Sequence, residues 1–157
     1  MGTTTATADR AHGHAARADA VAFRPRLRVA GDASSLRDAR HMVADALGAA
    51  PEGVRDAAVL LTGEILTNAV VHGGGWFLLQ VEASPVLIRV EVADAAGGRP
   101  TVLHPSSDRE HGRGMAIVDA MASAWGAEQR GSHKVVWFEL AVDGGAVPPS
   151  PRAPCPA

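Results

Sequence analysis

Three polar side chains recur at helical spacing near the middle of the chain. Glu64, Asn68 and His72 are four residues apart, a spacing that stacks side chains along one side of an α-helix. Apolar residues share that side or its edge: Ala57, Leu60, Leu61, Ile65 and Val71. The opposite side carries Arg55, Thr62 and Leu66. Because an unpaired carboxylate among apolar side chains costs free energy, the pattern indicates a buried partner for Glu64 or a face that opens onto a ligand.

Two further segments have residue types suited to a ligand site. Asp94 stands at the end of an apolar, strand-like segment and is followed by small residues up to Gly98. Gly112-Arg113-Gly114 precedes apolar residues at helical spacing, and the N–H groups at a helix start bind phosphate. Each feature alone is more often a turn or a local hydrogen bond. Their order, with a long loop between them, indicates a site.

The elements that must position these residues follow from apolar periodicity and from Gly and Pro breaks. We predict, in order, an edge strand over 22–30, a helix over 35–50 with Ser34 as its N-cap, a helix over 52–72, strands over 76–83 and 86–93, a long loop, a helix from 112, and strands over 127–130 and 134–142. The strands over 76–93 form a hairpin at Ser84-Pro85.

Alternation along two strands indicates which side of the sheet is buried. Ile88, Val90 and Val92 share one face, with Arg89 and Glu91 on the other. The last strand places Val136, Phe138 and Leu140 on one face. The predicted fold is therefore α+β, a two-layer sandwich in which a mixed, mostly antiparallel sheet carries helices on one face.

Length and composition limit the architecture. The 157 residues suit one domain with one core, which we place at 21–142. Residues 1–20 and the Pro-rich 143–157 are predicted to be disordered tails. His12-Gly13-His14 is interpreted as part of a flexible tail rather than as a metal site. The single Cys155 excludes an internal disulfide.

Charge and hydropathy narrow the functional classes. The net charge of −2, without a strongly basic block, argues against direct nucleic-acid binding. No apolar segment approaches the length of a membrane span, and the N-terminus lacks a signal-peptide pattern. The expectation is a cytoplasmic protein with no membrane partner.

The motifs together resemble a known superfamily. Glu64-x-x-x-Asn68-Ala69-x-x-His72-Gly73 resembles the N-box of the histidine-kinase-like ATPases, whose nucleotide-binding domain is the Bergerat fold. Asp94 to Gly98 resembles the first glycine box, and His111 to Met115 the second. The segments 112–125 and 134–140 are most similar to the anti-sigma factor serine/threonine kinase branch. The resemblance extends over about 23–142.

The resemblance implies roles for the polar stripe. Asn68 would ligate a Mg²⁺ ion that bridges the nucleotide phosphates, since Mg²⁺ prefers oxygen ligands. Glu64 would orient or deprotonate the attacking hydroxyl or water. His72 would brace the helix end.

The resemblance also assigns the base and phosphate contacts of ATP. Asp94 would accept a hydrogen bond from the adenine amino group, and Gly98 would let the backbone approach the adenine. The phosphates would lie on Gly112, Arg113 and Gly114. The segment 99–111 would be a lid over the nucleotide.

Two positions depart from the family pattern. Ala96 replaces the first Gly of the first glycine box, and its methyl group would narrow the adenine pocket or alter the lid hinge. Val135 lies near a Thr position that hydrogen-bonds close to the adenine in relatives, although Ser132 would supply a hydroxyl if the alignment shifts.

The function implied is that of an ATP-binding regulator that uses Mg²⁺ and ATP to phosphorylate an anti-anti-sigma partner and also binds a sigma factor. Relatives often form homodimers, for which the edge strand over 22–30 is available. Two alternatives stay open at this point. One is a non-catalytic interaction module of the same fold, and the other is an α/β domain without a nucleotide site.

Overall fold

The computed structural model describes residues 25–72, 75–94 and 112–142, without the side chains of His72, Gly112 and Arg113. The predicted tails, Gly98 and the predicted lid lie outside these ranges. The described elements are β1 (Arg26–Ala30), α1 (Ala33–Ala46), α2 (Glu52–His72), β2 (Trp76–Ala83), β3 (Leu87–Asp94), α3 (Gly112–Met121), β4 (Ala124–Arg130) and β5 (His133–Ala141). None of these three helices has the length and apolar character needed to cross a membrane.

The five strands form one sheet in the order β1-β2-β3-β5-β4. Every pairing within it is antiparallel, and β1 lies at an edge as predicted. The helices pack on one face, α1 against β1 and β2, α2 against β3 and β5, and α3 against β4. The predicted α+β two-layer architecture is confirmed.

The core lies between this sheet face and the helices. Ile88, Val90 and Val92 of β3 are at most 2 % exposed and point into it, as the alternation predicted. Phe77 and Phe138, from β2 and β5, are the largest fully buried side chains among the described residues. Burying a side chain of this size contributes about 1.5–3 kcal/mol, so the centre of the sheet is firmly held to the helices.

The first helix begins and ends earlier than the sequence predicts. Its N-cap is Asp32 rather than Ser34, because the Asp32 carboxylate accepts the Ser35 N–H at 2.9 Å. Ser34 instead donates its hydroxyl to Asp32. The helix ends at Ala46, and Leu47 closes it by donating its N–H to Val43 O at 3.1 Å. The predicted end at 50 extended too far because residues 47–49 form a turn.

The second helix has the predicted bounds. The Pro51 carbonyl accepts the N–H groups of Val54 and Arg55 at 3.0 Å each. Glu52 in the first turn is favourably placed near the positive end of the helix dipole. After the helix, Gly75 has φ +85°, a conformation that only glycine adopts without strain. It directs the chain into β2.

Several strand boundaries differ from the sequence prediction. β3 (Leu87–Asp94) begins and ends one residue later, β5 (His133–Ala141) begins and ends one residue earlier, and β4 begins at Ala124 rather than 127. The early start of β4 has a packing cause, since Trp125 pairs with Phe138 and contacts the core. The turn between β4 and β5 occurs at Gly131, with φ +61°, as predicted.

The sheet face away from the helices carries a cluster of charged residues around Trp137. Arg89 donates to Glu139 at 2.7 Å and to Glu91 at 2.8 Å, and its guanidinium lies 4.0 Å from the centre of the Trp137 ring. The Glu139 side chain is 1 % exposed. We call Arg89, Glu91, Arg130, Trp137 and Glu139 the outer-face cluster.

The charges of this cluster compensate one another. Burial alone raises the pKa of Glu91, but hydrogen bonds from Arg130 and Arg89 outweigh it and lower the pKa overall. Arg130 donates to Glu91 at 2.6 and 2.9 Å, which raises the pKa of its guanidinium. Because a buried charge is tolerated only when it is paired, the cluster accounts for charged residues on a partly buried sheet surface.

Candidate functional site

The polar stripe of α2 lies at the border between its buried and open sides. Thr62 and Leu66, on the opposite side, are fully buried against the rest of the domain. Glu64 and Asn68 are half-buried. On the stripe side, Leu61 and Ile65 are also fully buried, whereas Leu60 and Val71 are 44 % and 49 % exposed. Glu64 and Asn68 therefore face a side of the helix that a ligand can reach.

The start of α3 approaches Glu64 closely. A Cβ atom built on Gly114 would lie 2.5 Å from Glu64 Oε2 and 3.5 Å from Glu64 Cδ. The distance to Oε2 is too short for a methyl group beside a carboxylate oxygen, whereas the distance to Cδ is an ordinary van der Waals contact. Glycine at this position therefore leaves space for the Glu64 side chain next to the N-terminal turn of α3. Two motifs that are 50 residues apart in the sequence, at Glu64 and Gly114, meet in space.

Asp94 lies at the end of the sheet that is nearest to the C-terminus of α2. It pairs with Phe77, the second residue of β2, and only residues 73–75 separate β2 from the end of α2. Asn68 and His72 belong to the last two turns of this helix, whose length is about 30 Å. The topology therefore brings the Asn68 end of the stripe to the Asp94 end of the sheet.

Lys134 is the cross-strand partner of Asp94 in β5. Its neighbours at i+2 and i+4, Val136 and Phe138, belong to the core, so Lys134 lies on the helix-bearing face, at its end. Burial lowers the pKa of Lys134, and the nearby Asp94 charge opposes this effect. His133 Nδ1 lies 3.3 Å from the main-chain oxygen of Asp94 and braces the end of the same strand pair.

The predicted role of Val135 does not fit its position. Val135 pairs with Ala93 and Glu128, so it lies on the sheet face opposite to Asp94, and it is 3 % exposed. A Thr at 135 would point away from the Asp94 side chain. Ser132, the proposed substitute, is exposed in the turn between β4 and β5. The side chain that shares the Asp94 face is Lys134.

The arrangement fits a phosphate-bearing nucleotide with a hard cation. The stripe supplies a carboxylate and an amide oxygen, the ligand types that Mg²⁺ accepts alongside substrate phosphates. Because residue 114 is a glycine, no Cβ atom lies next to Glu64 at the start of α3. The unpaired N–H groups of a helix start are suited to bind phosphate. Asp94 offers a carboxylate acceptor at the sheet end.

Comparison with known proteins agrees with this arrangement. The profile of the histidine kinase-like ATPase domain matches residues 29–140, which is well over half of the chain. The chain belongs to this family. An uncharacterized protein of Streptomyces coelicolor is 31% identical over 90 residues, which cover 50% of this chain and 79% of that protein.

Membership in the histidine kinase-like ATPase family identifies ATP as the nucleotide that this fold is expected to bind. The match begins at Val29 of β1 and ends at Leu140 of β5. It therefore includes the stripe, Asp94 and Gly114.

The structure describes only part of the site predicted for this ATPase domain. It brings Glu64 to Gly114 and places Asp94 at the end of the sheet where α2 ends. Gly98, the predicted lid and the side chains of Arg113 and His72 lie outside the described part, and their roles stay predictions.

Lys134 was not among the site residues predicted from the sequence, although the sequence carries a signal for it. Val136, Phe138 and Leu140 were assigned to one face of the last strand, and Lys134 has the same parity. Extending this alternation by one step towards the N-terminus would have placed Lys134 at the end of the helix-bearing sheet face. The pairing with Asp94 required knowledge that β3 and β5 are neighbours.

Proposed function

We propose that this protein is an ATP-dependent regulator that transfers the γ-phosphoryl group of Mg·ATP to a serine or threonine of a partner protein. The observation that carries the proposal is the meeting of Glu64 with Gly114 at the start of α3, in a chain of the histidine kinase-like ATPase family. This contact joins a candidate proton acceptor to a candidate phosphate-binding helix start.

The stripe of α2 would do the chemistry. Asn68 would hold Mg²⁺ through its side-chain oxygen, and the ion would neutralise phosphate charge. Glu64 would accept the proton of the attacking hydroxyl while the hydroxyl oxygen bonds to the γ-phosphorus. The bond from this phosphorus to the β–γ bridging oxygen breaks, and ADP leaves with that electron pair.

The remaining positions would bind the substrate. Asp94 would accept a hydrogen bond from the adenine amino group, and Gly98 would allow the backbone to approach the ring. The start of α3, with Gly112, Arg113 and Gly114, would bind the phosphates through backbone N–H groups and the guanidinium.

The partners follow from the resemblance to anti-sigma factor kinases. The hydroxyl-bearing substrate would be an anti-anti-sigma protein, and the regulated target would be a sigma factor. The protein would act in the cytoplasm and form a homodimer, without direct contact to nucleic acid.

Thermal unfolding with and without Mg·ATP tests nucleotide binding. A ligand at 100-fold over its Kd adds about 2.7 kcal/mol to the free energy of unfolding, so the melting temperature rises. An unchanged melting temperature of the wild type at millimolar Mg·ATP would exclude the proposal.

Catalysis is tested separately with Glu64→Gln, which keeps the size of the side chain but removes the proton acceptor. We expect this variant to bind Mg·ATP like the wild type and to lose phosphoryl transfer by about 10²-fold or more, since general base catalysis contributes typically 10²–10⁴-fold.

A second candidate, a non-catalytic interaction module of the same fold, is favoured by Ala96 in place of the first glycine of the first glycine box. It predicts that wild type and Glu64→Gln bind the partner equally and that neither phosphorylates it. Phosphoryl transfer by the wild type decides between the two candidates.

A further inference from the structure

Lys134 is the one lysine among the 15 Lys and Arg residues of the chain. It lies directly across from Asp94 at the end of the helix-bearing sheet face. We infer that Lys134 reads the adenine base together with Asp94. Its ammonium group donates a hydrogen bond to adenine N1, while Asp94 accepts one from the adjacent amino group. The inference rests on the proposed nucleotide function.

The position of Lys134 supports this role. Lys134 and Asp94 are cross-strand partners, and directly opposite residues in an antiparallel pair hold their Cβ atoms about 4.5–5.5 Å apart. Both belong to the face that also carries Phe77, Val92 and Val136, all three of which are in the core. The two charged groups therefore lie at the end of the core, where they would contact a bound adenine base.

The charge of Lys134 supports the same role. Lys134 is half-buried, and burial lowers the pKa of its amine while the Asp94 carboxylate counteracts the loss of charge. An ammonium group has three N–H donors. It can therefore interact with Asp94 and still direct one donor to a base.

The pattern of donors and acceptors on adenine matches this pair of side chains. The Watson–Crick edge of adenine presents an amino donor beside the N1 acceptor. A carboxylate next to an ammonium group is complementary to this order. Guanine presents the reverse order, with the O6 acceptor beside an N1–H donor, and would place like groups against each other. The pair therefore selects adenine over guanine.

The position of Val135 makes this role available to Lys134. A hydroxyl at 135 would lie on the other sheet face, so it would not serve a base beside Asp94. Among the β5 side chains on the Asp94 face, Lys134 is the nearest to Asp94 in register and carries the donor groups that N1 requires.

The experiment compares Mg·ATP with Mg·1-deaza-ATP, in which a C–H group replaces N1. Binding to the full chain is measured by calorimetry for the wild type, Lys134→Met and the control Arg26→Met. Arg26 is exposed on the opposite sheet face, so this control removes one positive charge away from the site.

We expect the wild type and Arg26→Met to prefer ATP by about tenfold or more, as for one hydrogen bond to a charged group. Lys134→Met should bind the two nucleotides within about twofold of each other, because the group that distinguishes them is gone. A Lys134→Met variant that keeps the tenfold preference would overturn the inference, and so would a wild type without preference.

A second measurement needs no substitution. Because the chain has a single lysine, selective ¹⁵N-lysine labelling gives one side-chain signal in the NMR spectrum. This signal should shift with ATP and stay nearly unchanged with 1-deaza-ATP at saturation. An equal shift with both nucleotides contradicts the inference. Absence of binding by either nucleotide to the wild type would instead refute the proposed function, so the two failures are distinguishable.

Discussion

Gly114 controls the space available to the Glu64 carboxylate. We expect Gly114→Ala to displace the Glu64 side chain, because the new methyl group would lie 2.5 Å from Oε2. The side chain can rotate away, so the fold should survive, and Ala in place of Gly in a helix adds about 0.5–1 kcal/mol of stability. Phosphoryl transfer, measured with labelled ATP, should fall about tenfold or more, since catalytic geometry tolerates little displacement.

Gly53→Ala is the matched control for this substitution. Gly53 also lies in a helix, and a Cβ there meets no atom within 4 Å. It should show the same rise in melting temperature with unchanged transfer. Equal activity of Gly114→Ala and the wild type would remove the proposed role of the contact.

Individual positions differ in how far the sequence predicts their place in the fold. Glu64 and Asn68 were identified because helical spacing is visible in one segment, and both lie on the accessible border of α2. Val135 was placed near the adenine because the family resemblance puts it close to a Thr position of relatives, without applying the alternation of side chains along a strand. Parity would have excluded it and selected Lys134.

The N-terminus of α1 depends on the Asp32 carboxylate. Hydrogen bonds from the Ser34 hydroxyl and from the Ser35 N–H and hydroxyl lower the pKa of Asp32 to about 2, from 3.8. A carboxyl group whose pKa is lowered by folding stabilises the fold above its unfolded pKa. This contribution is complete above about pH 4 and is lost as the pH falls towards 2.

We therefore expect Asp32→Ala to melt a few degrees below the wild type at neutral pH, as is usual for a lost N-cap. The difference should shrink between pH 4 and pH 2, where the wild-type carboxylate becomes protonated. Asp32→Asn keeps the capping oxygen and should show a smaller difference at neutral pH, which should shrink over the same pH range because only the wild-type carboxylate titrates. A constant gap for Asp32→Ala down to pH 2 would show that the carboxylate charge contributes nothing.

The outer-face cluster holds β3 and β5 together from the side away from the helices. Arg89→Met would leave Glu139, whose side chain is 1 % exposed, without the guanidinium that now lies at 2.7 Å. Removing one member of a buried ion pair costs about 3–5 kcal/mol, which urea unfolding can measure. Arg130→Met, at a side chain that is 50 % exposed, should cost about 1 kcal/mol or less.

The double variant Arg89→Met/Glu139→Met distinguishes an ion-pair effect from a loss of packing on Trp137. If the buried charge causes the destabilisation, replacing both partners by apolar residues should recover much of the stability. A double variant that is as unstable as the sum of the single variants would attribute the loss to packing.

The overall fold was predictable to the extent that its pairings are local. The hairpin of β2 and β3, the bounds of α2 and the turn at Gly131 follow from patterns within short segments. The pairing of β3 with β5 does not, because the partners are separated by the predicted lid, α3 and β4. That non-local pairing creates both the outer-face cluster and the pairing of Lys134 with Asp94.

The central position of the β3–β5 pair has a consequence for the covalent continuity of the chain. If the chain were cut between residues 94 and 112, the two pieces would still share a ladder of 8 residue pairs and the packing of α3 on α2. Glu64, Asn68 and Asp94 would belong to one piece, and Gly114 and Lys134 to the other. A nucleotide bound by residues of both pieces would then contact two polypeptides and would strengthen their association.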